Sequence, residues 1–135
     1  MKLLMLVWLC LPLGLVAQET PKSTPEPPPS SPLAEPPDFH ALDGPQAREQ
    51  ATALAKKDLQ NGVTRILVYG LRRGESAEER YLAEHYGVRT VAIAGCVVSD
   101  GILEGAKAYN EVVRAHLLAL HKKDIFEEAR TKAGG

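Results

Sequence analysis

Apolar residues along this chain fall into three regimes. Leu3 to Val16 is almost unbroken apolar sequence, the stretch from Gln18 to Asp43 has few apolar residues, and beyond Gly44 they recur with the periods of secondary structure. The last regime is organised around Val88 to His121. Its first part, Val88 to Val98, is a nearly continuous apolar run and reads as a strand. Ser99, Asp100 and Gly101 form a turn, and Ile102 begins a long helix. Within that helix Ile102, Ala106, Tyr109, Val113, Leu117 and Leu120 recur at steps of three and four, which is the spacing of a core stripe. Glu104, Lys107, Glu111 and Arg114 alternate in sign on the opposite side, as a solvated face does. Gly105, Ala108, Val112, Ala115 and Ala119 make a flank of mostly small residues. A glycine inside a helix costs about 1 kcal/mol relative to alanine. Either another part of the chain approaches closely at Gly105, or the glycine is merely tolerated.

The elements ahead of this unit carry their own punctuation. Asp43-Gly44-Pro45-Gln46 reads as a helix start, with an acidic cap, proline in the first turn and Gln three residues after the Asp. Ala47, Ala51, Leu54, Ala55 and Leu59 then share one side, and Asn61-Gly62 ends the helix. Val63 to Leu71, with Ile66, Leu67, Val68 and Tyr69 contiguous, predicts a strand covered on both faces. Ser76 with Glu79 predicts a capping box for a short helix that turns Ala77, Tyr81, Leu82 and either His85 or Tyr86 inward, closed by Gly87. Strand, helix and strand with short connections imply a parallel pair joined by a right-handed crossover. Asp124 and Glu127 open a last helix carrying Ile125, Phe126 and Ala129. The expected fold is a small α/β domain over residues 44–135, αβαβαα in order, with two parallel strands flanked by helices. Two strands leave both sheet edges open, which is a hazard unless each is covered or paired.

The first two regimes place the domain. Met1-Lys2, the apolar run to Val16 and the small Ala17 have the layout of a secretory signal peptide over residues 1–17, with an apolar core too short to span a bilayer comfortably. A lipoprotein cysteine at Cys10 does not fit, because Trp8 and Leu9 precede it where small residues are needed. Residues 18–43, rich in proline with Ser, Thr and Glu, read as a disordered, semi-rigid spacer. Phe39 and Leu42 are placed to dock on the domain as a lead-in. The expected location is secreted or periplasmic, with no membrane span once the signal is cleaved.

Charge narrows the partners. From Gln46 onward 14 Lys and Arg face 12 Asp and Glu, a difference of +2, so there is no basic footprint for nucleic acid. Few aromatics argue against single-strand stacking platforms.

Candidate chemistry gathers at the strand ends. Ligands of parallel α/β units sit outside the carboxyl ends of the strands, here Gly70 to Ser76 and Gly95 to Gly101. Each loop leads into a helix N-terminus, which favours an anion. Arg72, Arg73, Ser76, Ser99 and Asp100 are the candidate anion or ligand contacts; as ordinary features they are a solvated turn and helix caps. Cys96, the one cysteine beyond the signal, is the candidate nucleophile, or else a small buried hydrophobe. Cys96-Val97-Val98-Ser99 has the spacing of a monothiol redox motif, but two valines extend the strand where a helix must start. It also lacks the later proline of thioredoxin-like proteins, and Ile102 stands where a phosphatase loop needs arginine. His116 and His121 are five apart, off one helical face, so neither a metal nor a cofactor is expected. The pattern favours an exported, tethered, non-catalytic interaction or ligand-binding domain whose partner is a second copy or an envelope protein. The rival is a small enzyme with a strand-end anion pocket or a Cys96 thiol.

Overall fold

The computed structural model describes residues 35–134. The expected signal peptide and the spacer up to residue 34 lie outside the described residues. Six elements follow in order: α1 (Gly44–Gln60), β1 (Arg65–Tyr69), α2 (Ala77–Tyr86), β2 (Arg89–Ala94), α3 (Asp100–His121) and α4 (Ile125–Ala133). β1 and β2 form a parallel two-stranded sheet, in register from Arg65 opposite Arg89 to Val68 opposite Ala92. The domain is α/β, with helices flanking two parallel strands.

Local chemistry sets the helix ends. Asp43 caps α1 by accepting from the Gln46 amide at 2.8 Å. Ser76 and Glu79 close a reciprocal capping box on α2, and Gly87 ends it at φ 65°, where glycine carries no steric cost. Ser99 caps α3, so this helix begins at Asp100, two residues earlier than the expected Ile102. Asp124 caps α4 by accepting from the amides of Phe126 and Glu127. Both strands are shorter than the apolar runs that announce them, because Gly70 and Gly95 turn the chain away from the sheet.

The core forms where α1 lies on α3 and α3 backs β1, while α2 packs on α4 and β2. Ala47, Ala51 and Ala55 are fully buried, as are Ile102, Ala106, Tyr109, Val113 and Leu117. Leu120 departs from that stripe and is 62 % exposed; the covered side of the last turn continues from Leu117 to His121, whose ring meets Tyr86 edge-on with centroids 4.9 Å apart. β1 is covered only in part: Arg65, Ile66 and Leu67 are buried, but Tyr69 is 45 % exposed. On α2, Tyr86 rather than His85 turns inward; it is half-buried and His85 is exposed.

Packing begins ahead of α1, at Phe39, which is 3 % exposed and lies across α3. A Cβ at Gly105 would fall 2.6 Å from Phe39 Cδ2, and one at Gly101 would fall 2.4 Å from the carbonyl oxygens of Phe39 and Leu42. Close approach, rather than tolerance, explains glycine at these helical positions.

Candidate interaction edge at the sheet

Backbone parity decides which groups the sheet leaves unused. In a parallel strand the N–H and C=O of one residue point to the same side, and the sides alternate. Arg89 donates its N–H to the Thr64 carbonyl and Gly70 donates to the Ala94 carbonyl. Residues 66 and 68 of β1 therefore face β2, and Leu67 faces away from it. Leu67 is nevertheless satisfied. Asn110 of α3 accepts from its N–H at 2.8 Å and donates Nδ2–H to its carbonyl at 2.8 Å. One side-chain amide thus stands in for a neighbouring strand at the centre of β1, so its outer edge is covered at Leu67, where the sequence predicts an open one.

The same parity turns the backbone of Thr90 and Ala92 outward from β2. Among the described residues, β1 is the only strand beside β2. The segment Thr90-Val91-Ala92-Ile93-Ala94 contains neither charge nor proline, the devices by which edge strands usually discourage pairing. The register slips between Val68 and Tyr69, so that Tyr69 lies opposite Ala94 and Ile93 is the extra residue of a bulge. Beyond this bulge the two strand-end loops lie side by side. They carry exposed apolar side chains, with Leu71 83 % and Val97 74 % accessible, and Cys96, in the second of these loops, is exposed and free.

The candidate ligand contacts do not assemble into one pocket. Arg72 makes an ion pair with Glu79 and reaches the Gly74 carbonyl at 3.4 Å. It lines a groove of about 240 Å³ together with Gly74, Glu75, Glu79 and Thr90, in which two carboxylates oppose its charge. Arg73 is exposed and does not line that groove. Ser76 and Ser99 use their hydroxyls as caps, accepting from Glu79 and Ile102 amides, and Asp100 occupies the first turn of α3. Among the described residues Cys96 has no hydrogen-bond partner, and no cluster of His, Cys, Asp and Glu side chains is placed to hold a metal ion. No described helix is long and apolar enough to cross a membrane.

Two polar clusters have no counterpart in the sequence reading. In the core, Tyr109 donates to Asp58 Oδ2 at 2.5 Å, and Arg65 Nε donates to the same oxygen at 2.9 Å and to Tyr109 Oη at 3.1 Å. Burial, with the Asp58 hydrogen bond, holds the Tyr109 phenol far above its ordinary range. Burial alone would lower the Arg65 guanidinium, but Tyr109 and Asp58 outweigh it and the net direction is up. At the α2–α4 contact, Glu128 accepts from Tyr81 at 2.9 Å and Tyr86 at 2.8 Å and pairs with Lys123 at 2.5 Å. The Lys123 bond first, then Tyr86 and Tyr81, pull the Glu128 carboxyl down to about 2. Neither cluster lines the strand-end loops. Each links residues at least five and up to 51 positions apart, so only the charge and the hydroxyl, not the pairing, were visible along the chain.

No protein-family model matches this chain, and neither a curated protein nor a solved structure matches it.

Proposed function

We propose that this chain is an exported, tethered, non-catalytic interaction domain that pairs with a second copy of itself along the outer edge of β2. The observation that carries the reading is the asymmetry of the sheet. Asn110 takes both outward backbone groups of Leu67 at the centre of β1, whereas the outward groups of Thr90 and Ala92 have no strand beside them among the described residues. A two-fold axis at Val91 lets Thr90 of one copy exchange both backbone hydrogen bonds with Ala92 of the other, in an antiparallel pair. In that register Arg89 faces Ile93 of the second copy, so like charges do not meet. The exposed Leu71 and Val97 extend the apolar surface at the end of the strands. Export rests on the apolar leader, and tethering on the proline-rich spacer that follows it.

Size-exclusion chromatography with light scattering tests this pairing. At high micromolar concentration the protein is expected at twice the chain mass. Ala92→Pro, which removes an outward N–H from the edge, is expected to return it to a monomer of unchanged helicity. A monomer throughout removes pairing with a second copy along β2. An envelope protein as partner is the remaining outcome for a monomer that still binds through this edge.

One observation favours the enzyme reading, namely the exposure of free Cys96. Thiol labelling of the native protein distinguishes the two. An interaction domain labels at the rate of an exposed model thiol under the same conditions, whereas an activated nucleophile labels many times faster.

A further inference from the structure

We propose that the loop between β1 and α2 is a proteolytic processing site, at which a trypsin-like serine protease with an acidic specificity pocket cuts after Arg73. The hydrolysis adds water across the Arg73–Gly74 peptide bond, leaving a carboxylate on Arg73 and an ammonium group on Gly74.

The loop offers what such a protease needs, a basic side chain on backbone that can be drawn out extended. Among the described residues, no backbone–backbone hydrogen bond involves residues 71–75. Gly70 at φ 97° and Gly74 at φ 116° frame the dibasic pair, and Leu71 beside it is the most exposed of the large apolar residues described. Only side-chain contacts hold the loop, chiefly the ion pair from Arg72 to Glu79. Arg73, whose side chain enters the specificity pocket, is exposed.

Competing positions are better protected. Every other Lys and Arg among the described residues lies in a helix or strand, except Lys122 and Lys123. Those two sit in a tight turn, where Lys122 donates its N–H to Leu118 and Lys123 is held by Glu128. Exposed loop tips with small and polar residues are the preferred places for nicking.

The nick leaves the domain assembled. One fragment keeps α1 and β1, and the other keeps α2, β2, α3 and α4. Between them run the α1–α3 packing, the β1–β2 pairing, the bonds of Tyr109 to Asp58 and Arg65, and both Asn110–Leu67 bonds. The mature form is then a two-chain domain with a new terminus at Gly74, beside the strand-end surface.

Limited digestion of the full chain with trypsin under native conditions tests this, read by intact mass and by native chromatography. Within residues 35–134 the first cut is expected after Arg73, with the two fragments eluting together until denaturant is added. Arg72→Gln with Arg73→Gln is expected to abolish that cut while the far-ultraviolet spectrum stays unchanged. A first cut at Lys122 or Lys123, fragments that separate without denaturant, or a double variant nicked in the same loop at the same rate would each overturn the proposal.

Discussion

Arg65 is 1 % exposed and carries its charge into the core, where Asp58 at 2.7 Å and the Tyr109 hydroxyl surround it. A buried ion pair repays little against an apolar core of the same shape, but removing one partner strands the other charge. Arg65→Met is therefore expected to destabilise the domain by about 3–5 kcal/mol, read by urea denaturation. Tyr109→Phe, which takes one hydrogen bond to a charged group, is expected to cost about 1.5–3 kcal/mol. Because folding raises the Tyr109 phenol, its contribution is intact below the ordinary tyrosine range and is lost as pH rises above it. Ultraviolet titration should show Tyr109 ionising only as the protein unfolds in alkali. Glu128 has the opposite sign. Its carboxyl is depressed to about 2, so its hold on α4 is full above the ordinary carboxylate range and is lost as pH falls towards 2. Carboxyl resonances followed by NMR should place its midpoint near that value, and in Lys123→Met the midpoint should move up.

At the scale of elements, caps and turns were legible in the sequence because their chemistry is local. Asp43, Ser76, Ser99 and Asp124 each bond an amide two or three residues on, and such spacings can be read directly. The parallel pair followed from short connections around a helix. Asn110 was not legible: it reaches across 43 positions to Leu67, and in sequence it is one polar residue on a long helix. Leu120 misled because steps of three and four both fit the stripe, and from Leu117 the covered side continues four residues on, to His121 beside Tyr86. Of the candidate site, the strand-end loops were legible but the occupation of Arg72, Ser76 and Ser99 by local partners was not. The glycines of α3 give a direct test of the packing. Gly105→Ala gains about 1 kcal/mol of helix propensity but drives a methyl into the Phe39 ring. The net expectation is a destabilisation of about 1–2 kcal/mol, since overpacking costs typically 1–3 kcal/mol. In Phe39→Leu, which clears the ring, the same substitution should become neutral or stabilising. Asn110→Ala leaves the buried Leu67 amide and carbonyl without their partners and should cost about 1–3 kcal/mol, seen as faster exchange of the Leu67 amide.

For the whole molecule, a two-stranded sheet held mainly by α3 leaves the domain lopsided. One edge is capped at its centre by Asn110, while β2 presents a short, uncharged stretch with a bulge at its end. Paired with a second copy, the sheet becomes four-stranded and continuous, and the short edge is removed from solvent. The most direct test is amide hydrogen exchange at Thr90 and Ala92 as protein concentration is varied. Pairing along β2 predicts that both amides are protected at high micromolar concentration and lose that protection together on dilution. Rapid exchange at both positions at every concentration would contradict it.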